Sequence, residues 1–298
     1  MRSMKLLFLA GSLVGLSLVV GARESLEGPP RVWLGDNLIG MKVVSETGES
    51  LGKIEDIVVH PGGEISYAVL SFGGLLGMGD KLFAMPWTVL KAVEPETAEK
   101  DSASSLVLSL DKERLKTAPG FDKKHWPAMA NPDWAKDIDS FYAGNANPNT
   151  KRPVEAAART SVITWRATEL KGTDVKTPTG EKLGDIEELA IDTNGRVSYA
   201  ILSVGGFLGM GDKLVAVPWG NLRFSLEGDK GDKRMITLAS TKAQLDQAPE
   251  FMEGQENEAA MCEPKWIGKL YEYYSSPPYW KNADGYLGAI QPGESERN

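Results

Sequence analysis

Cysteine occurs once in this chain, at Cys262, and histidine twice, at His60 and His125. A lone cysteine excludes an internal disulfide framework and any cysteine-rich zinc or iron–sulfur site. Two histidines in unlike contexts leave little material for a histidine-based metal centre or a nucleophile–histidine relay. Positive charge is also short: 33 basic side chains face 41 acidic ones, a net charge of −8. Phosphate neutralisation needs a basic surface, so nucleic acid is not expected as a main partner. Together these shortages point away from most familiar enzymes. No catalytic residue, cofactor or metal ligand is expected.

Long uncharged apolar runs are absent except at the start. Arg2 and Lys5 precede an apolar stretch from Leu6 to Val20, and Val20-Gly21-Ala22 offers small residues for cleavage after Ala22. This pattern predicts an export signal over residues 1–22, or an N-terminal anchor if it is not removed. The expected location is the periplasm or the cell exterior.

The chain then contains one unit written twice. The segment from Leu38-Ile39-Gly40 to Pro86-Trp87-Thr88-Val89-Leu90 returns as Leu170-Lys171-Gly172 to Pro218-Trp219-Gly220-Asn221-Leu222, at a constant shift of 132 residues (Gly40 to Gly172) and with no gap. Its core is Gly73-Gly74-Leu75-Leu76-Gly77-Met78-Gly79-Asp80-Lys81-Leu82 against Gly205-Gly206-Phe207-Leu208-Gly209-Met210-Gly211-Asp212-Lys213-Leu214. The match weakens afterwards, with Leu115, Ala118, Pro119 and Phe121 answering Leu245, Ala248, Pro249 and Phe251, and Pro132, Trp134 and Tyr142 answering Pro264, Trp266 and Tyr274. The expected organisation is a first unit over 33–143, a linker over 144–160, a second unit over 161–275 and an aromatic, proline-rich tail over 276–298.

Within each unit the signals are mostly those of strands. Thr47-Gly48-Glu49 and Thr179-Gly180-Glu181 predict hairpin turns, as do Pro61-Gly62-Gly63 and Thr193-Asn194-Gly195. Ile54 and Ile57 break the two-residue alternation of a strand, which a bulge between them would restore. Five or six short strands joined by tight turns suggest a small barrel. Asp111 and the Asn131-Pro132 pair are helix starts, and Trp134, Ile138, Phe141 and Tyr142 form one apolar helical face that Trp266, Leu270, Tyr273 and Tyr274 repeat. The predicted fold is therefore mainly β with short α extensions: two tandem barrels, each followed by a helical extension, packed as a pseudo-two-fold pair.

From Gly40 through Thr47-Gly48-Glu49-x-Leu51-Gly52, Tyr67-Ala68 and Gly79-Asp80-Lys81 to Pro86-Trp87, the first unit resembles a PRC-barrel domain, and Gly172 to Trp219 resembles a second. The family takes its name from the photosynthetic reaction centre, whose H subunit carries such a barrel. A ribosome maturation factor carries another. The resemblance implies a docking and supporting module rather than a catalyst.

The glycine-rich loops do not read as phosphate cradles. Gly79-Asp80-Lys81-Leu82 opens a strand, and Asp80 would repel phosphate. They carry apolar residues that a merely solvated loop would lack, Leu75, Leu76 and Met78 in one copy and Phe207, Leu208 and Met210 in the other. They are expected to pack internally, the two loops against each other, or to dock a partner together with Asp80, Lys81, Asp212 and Lys213. Tyr67, Trp87, Tyr199 and Trp219 complete the candidate interaction set on the barrels, and Tyr279 and Trp280 supply it on the tail. The tail aromatics are expected to pack back over the second unit or, if exposed, to line a protein interface or stack on a sugar. The paired acids Glu55-Asp56 and Glu187-Glu188 lie on strands and are expected on solvated faces. Three functions are open at this point. One is an exported scaffold that binds envelope proteins, and another is a membrane-tethered accessory of a photosynthetic or electron-transfer complex. The third is a carbohydrate binder working through its tail.

Overall fold

The computed structural model describes residues 28–72, 81–93, 105–145, 164–205, 212–227 and 233–281. The predicted export segment, the tips of both glycine-rich loops and most of the predicted linker lie outside them.

The first half opens with a short arm, β1 (Val32–Leu34) and the single-turn helix α1 (Gly35–Leu38). There follow β2 (Lys42–Ser45), β3 (Ser50–Val59), β4 (Ile65–Phe72), β5 (Lys81–Met85), β6 (Leu90–Val93) and β7 (Ser105–Leu108). The helical extension is α2 (Lys112–Lys116), the short strand β8 (Gly120–Asp122) and α3 (Pro132–Tyr142). The second half repeats the plan with β9 (Trp165–Arg166), α4 (Ala167–Leu170), β10 (Asp174–Lys176), β11 (Lys182–Asp192), β12 (Val197–Val204), β13 (Lys213–Pro218), β14 (Leu222–Glu227) and β15 (Lys233–Leu238). Its extension is α5 (Lys242–Asp246), α6 (Gln255–Met261) and α7 (Pro264–Tyr273).

Local chemistry accounts for most of these boundaries. Asp111 accepts from the Arg114 amide at 2.7 Å, and Asn131 accepts from the Asp133 amide at 2.8 Å ahead of Pro132. Thr241 and Gln244 close a reciprocal capping box at the start of α5. The register of β3 against β4 slips between Ile54 and Asp56, and that of β11 against β12 between Ile186 and Glu188. These are the bulges that the spacing of Ile54 and Ile57 called for.

The strands form two sheets, ordered β6-β7-β2-β3-β4-β5-β8 and β13-β12-β11-β10-β15-β14. The architecture is mainly β, as expected, but neither sheet is a closed barrel: among the described residues no ladder joins the two end strands. A proline-led turn separates β5 from β6 at Pro86-Trp87, and another separates β13 from β14 at Pro218-Trp219. Proline cannot donate to a ladder, and here it turns the chain away at the seam. The central strand β4 is buried along nearly its whole length, and so is β12. Helix α3 covers one side of the first sheet, where Trp134 meets the ring of Tyr67 edge-on at 5.0 Å.

The arms are exchanged. β1 pairs with β11 of the second sheet, Trp33 opposite Ile191, and β9 pairs with β3 of the first sheet, Trp165 opposite Val59. Trp33 and Trp165 are 132 residues apart, as are Ile191 and Val59, so the two pairings are the same contact with the roles of the units reversed. Strands of two and three residues carry no signal of their partner, so nothing in the residues themselves points to this exchange.

Candidate functional site

The contact between the units gathers most of the buried polar chemistry of the protein. Its centre is the pair of turns that join β3 to β4 and β11 to β12. The Ile65 amide donates to the Gly195 carbonyl and the Val197 amide to the Gly63 carbonyl, both at 2.8 Å. Gly63 and Gly195 sit at φ +89° and +78°, in the left-handed region that glycine occupies without strain. The Trp87 ring lies where a side chain at position 195 would go. Trp87 donates its indole N–H to the Thr193 carbonyl at 3.4 Å, and Trp219 donates to the Pro61 carbonyl at 2.9 Å. Glu64 and Arg196 face each other across the same turns at 3.7 Å.

Each exchanged arm is also capped by the opposite unit. Neither α1 nor α4 has a capping side chain of its own. The Asp56 carboxylate on β3 accepts from the Thr168 hydroxyl at 2.5 Å and from the Thr168 amide at 3.3 Å, at the start of α4. The Glu188 carboxylate on β11 accepts from the Asp36 amide at 3.1 Å, at the start of α1. The expectation of solvated faces fails for Asp56, which is 2% exposed, and for the half-buried Glu188. Each bulge leaves the second acid of its pair on the face opposite Ile54 and Ile57 or their counterparts, where the exchanged arm lies, and there it satisfies orphan helix amides. Burial pushes the Asp56 carboxyl up from its ordinary value, against the hydrogen bonds from Thr168 and the nearby Arg166. Burial likewise pushes Glu188 up to about 7.

The described part of the tail, residues 276–281, folds back on the second unit. Tyr279 is 1% exposed, donates its hydroxyl to Asp192 at 3.0 Å and lies 6.0 Å from the ring of Tyr271. Tyr271 in turn donates to the Ser198 carbonyl at 2.5 Å. Trp280 packs edge-on against Tyr271 at 4.8 Å. The aromatics Tyr279 and Trp280 thus pack back over the second unit, the first of the two expectations for them, and a buried Tyr279 is not available to stack on a sugar. Asp192 is fully buried, and burial raises its carboxyl to about 6 against the amide and Tyr279 hydrogen bonds that it accepts. The turn at Asp192-Thr193-Asn194-Gly195 is held by this one carboxylate, which takes the amides of Asn194 and Arg196 at 2.9 Å.

The candidate residues therefore divide. Tyr67, Trp87, Tyr199, Trp219 and Tyr279 are buried and make their contacts within the chain, Tyr199 through its hydroxyl to the Met261 carbonyl at 3.1 Å. They are not an exposed docking set. Lys81 is exposed, with its ammonium 4.9 Å from the Phe83 ring centre. Lys213 is tied down, donating to the carbonyls of Asp246 and Ala248 at 2.6 and 3.1 Å beside the C-terminus of α5. Asp212 accepts from the Ser203 hydroxyl at 2.7 Å. Leu75, Leu76, Met78, Asp80, Phe207, Leu208 and Met210 lie outside the described residues.

The anchors of the two glycine-rich loops are placed nonetheless. β4 begins at the unit contact with Ile65 and ends seven residues later at Phe72, where the loop departs and returns at Lys81. At about 3.3 Å per residue the loop base stands roughly 23 Å from the contact. β12 and β13 repeat the arrangement at the other end. Packing of the two loops against each other across the unit contact is not what these anchors support, because both hairpins point away from it.

Two further features complete the chemistry. Gly48-Glu49-Ser50-Leu51-Gly52 has the spelling of a nucleophile elbow, but Ser50 opens β3 on a hairpin with β2 instead of ending a strand at a helix. His60 uses Nδ1 to accept from the Gly62 amide at 3.0 Å, and His125 pairs with Asp122 on the surface.

No curated protein matches this chain. The family model for the PRC-barrel domain matches it twice, over residues 33–101 and 164–245, and these spans hold both sheets' central strands, both junction turns and both loop anchors. Over more than half of its length the chain carries this one domain pattern, and it belongs to the PRC-barrel family.

Proposed function

We propose that this chain is a non-catalytic scaffold of the cell envelope that docks protein partners through the ends of its two glycine-loop hairpins. In this reading the two sheets are small barrels with open seams, packed about a pseudo-two-fold axis. The observation that carries the proposal is the division of labour between hairpin ends. One end of each hairpin is consumed by the unit contact, and the other ends at the anchors Phe72–Lys81 and Val204–Lys213, away from it; the sequence between those anchors holds the apolar Leu75-Leu76 and Phe207-Leu208 pairs. Two like ends pointing apart suit a bridging role. Family membership supports the same reading, since barrels of this kind often mediate protein interactions.

A photo-crosslinking residue at position 76 or 208 tests this in cells. Both positions are expected to capture the same envelope protein. The double substitution Leu76→Asp and Leu208→Asp should abolish capture while leaving the unfolding midpoint unchanged. Capture resting on apolar contacts should survive moderate salt. No specific adduct, or an adduct indifferent to the double substitution, overturns the reading. Export is proposed from the apolar stretch at Leu6–Val20. The same apolar stretch favours a second reading, a membrane-tethered accessory of an electron-transfer complex, and the N-terminus of the captured chain decides between them. A start near Arg23 supports the exported scaffold, and a start at Met1 in the membrane fraction supports the tethered subunit.

A further inference from the structure

The internal duplication supplies its own control: a feature present in one unit and missing from the corresponding place in the other is not required by the fold. The place where each exchanged arm meets the helical extension differs in this way. On one side the Val32 amide donates to the Cys262 carbonyl at 3.2 Å, and Leu34 lies opposite Ala190. There Leu34, Ala190 and Met261 are all buried, and α6 closes the region. On the other side the stretch corresponding to α6 is irregular, and Arg166 stands opposite Val58 where Leu34 stands opposite Ala190. A cavity of about 250 Å³ opens between Trp126, Met129, Thr164, Arg166, Glu169 and Arg234.

Charged groups converge on this opening. Arg166 donates to one oxygen of Glu169 at 2.6 Å and Arg234 to the other at 2.9 Å. Arg166 lies over the Trp126 ring at 4.5 Å, and Arg234 over the Trp165 ring at 4.7 Å. Each guanidinium is thus held by a ring and by Glu169, and Arg166 also lies 3.8 Å from the Asp56 carboxylate, which leaves Arg234 the more open of the two. Each has five N–H donors, so neither is exhausted by its bond to Glu169. The remaining wall is apolar, formed by Met129 and the ring of Trp126.

We propose that this cavity is a binding site for a small carboxylate carrying a short apolar chain. The planar fork of a guanidinium matches a carboxylate, and the Trp126–Met129 wall accepts the chain. The cavity has room for roughly eight waters' share of liquid volume, enough for a six-carbon acid. This site does not depend on the docking role of the loops.

The test uses the full chain, titrated with sodium hexanoate and followed by the Trp126 indole N–H signal in ¹⁵N NMR. Acetate and hexanol serve as the charged and the apolar halves of the probe. Hexanoate should give a saturable shift, with acetate and hexanol at least tenfold weaker. Arg234→Gln should weaken hexanoate about tenfold or more, as expected for loss of a charge-assisted hydrogen bond. Arg31→Gln, beside the closed arm of the other unit, should change nothing. Arg234 is 41% exposed, so its substitution is expected to leave the fold intact, and the rest of the spectrum reports this. The proposal is overturned by the absence of a saturable shift up to about 50 mM, by an equal response to hexanol, or by an Arg234→Gln variant that binds as tightly as the parent.

Discussion

Asp56 shows how one side chain can hold two halves together. It is buried, carries a raised pKa, and accepts the Thr168 hydroxyl and amide at the start of a helix that belongs to the other unit. Its acceptor atoms do the holding, and its charge is a burden of burial. Asp56→Asn keeps an acceptor without the charge and should lie within about 1 kcal/mol of the parent. Asp56→Ala orphans the Thr168 groups and should lower stability by about 1–3 kcal/mol. Urea unfolding of the two variants checks this, and equal losses would refute it. Glu188 and Asp192 set the pH response. Their folded values, about 7 and about 6, lie above the ordinary 4.5 and 3.8, so the folded chain binds protons that the unfolded chain releases. Their contribution to stability is complete below the unfolded values and is lost as pH rises through 6 and 7. The urea midpoint should therefore be higher at pH 5 than at pH 8, and Glu188→Gln should remove much of the difference. A profile that is flat, or that rises with pH, would contradict this assignment.

The elements whose signals are local were legible beforehand. Asp111 and Asn131 cap where their residue types suggest, and the bulge near Ile54 follows from a broken alternation. The pairing of β1 and β9 was not legible, because Val32-Trp33-Leu34 and Trp165-Arg166 state a preference for a strand but not for a neighbour. The placement of Asp56 and Glu188 was half legible. The bulge was readable from the spacing of Ile54 and Ile57, but the amides that the acid after it accepts come only from the exchanged arm. The cavity beside Arg166 was invisible, since its residues come from four separate stretches. The exchange itself makes an unusual prediction. A chain lacking residues 31–38 loses the strand beside β11, so amide protection should fall first in β11, within the second sheet. Hydrogen exchange with mass spectrometry would show this, and a loss confined to the first sheet would count against it.

At the scale of the whole molecule, the two units share ladder hydrogen bonds, indole-to-carbonyl bonds and helix caps. Such sharing predicts a single cooperative transition instead of two. It also predicts that the covalent connection between the units is dispensable once they have folded. With a protease site placed in the segment 146–163 and then cut, the two pieces should co-elute as one species and separate only in denaturant. Two independently eluting fragments under native conditions would refute this.

The crossed arms also impose an order on synthesis. β1 leaves the ribosome early, but its partner β11 ends at Asp192, 158 residues after Leu34. At about 5–20 residues per second the nascent chain waits on the order of ten seconds before that arm has its strand. In the same interval the edge of β3 at Val58 and Val59 is without β9. A growing chain of this protein therefore presents an unfinished sheet edge to its surroundings until the second copy begins to emerge.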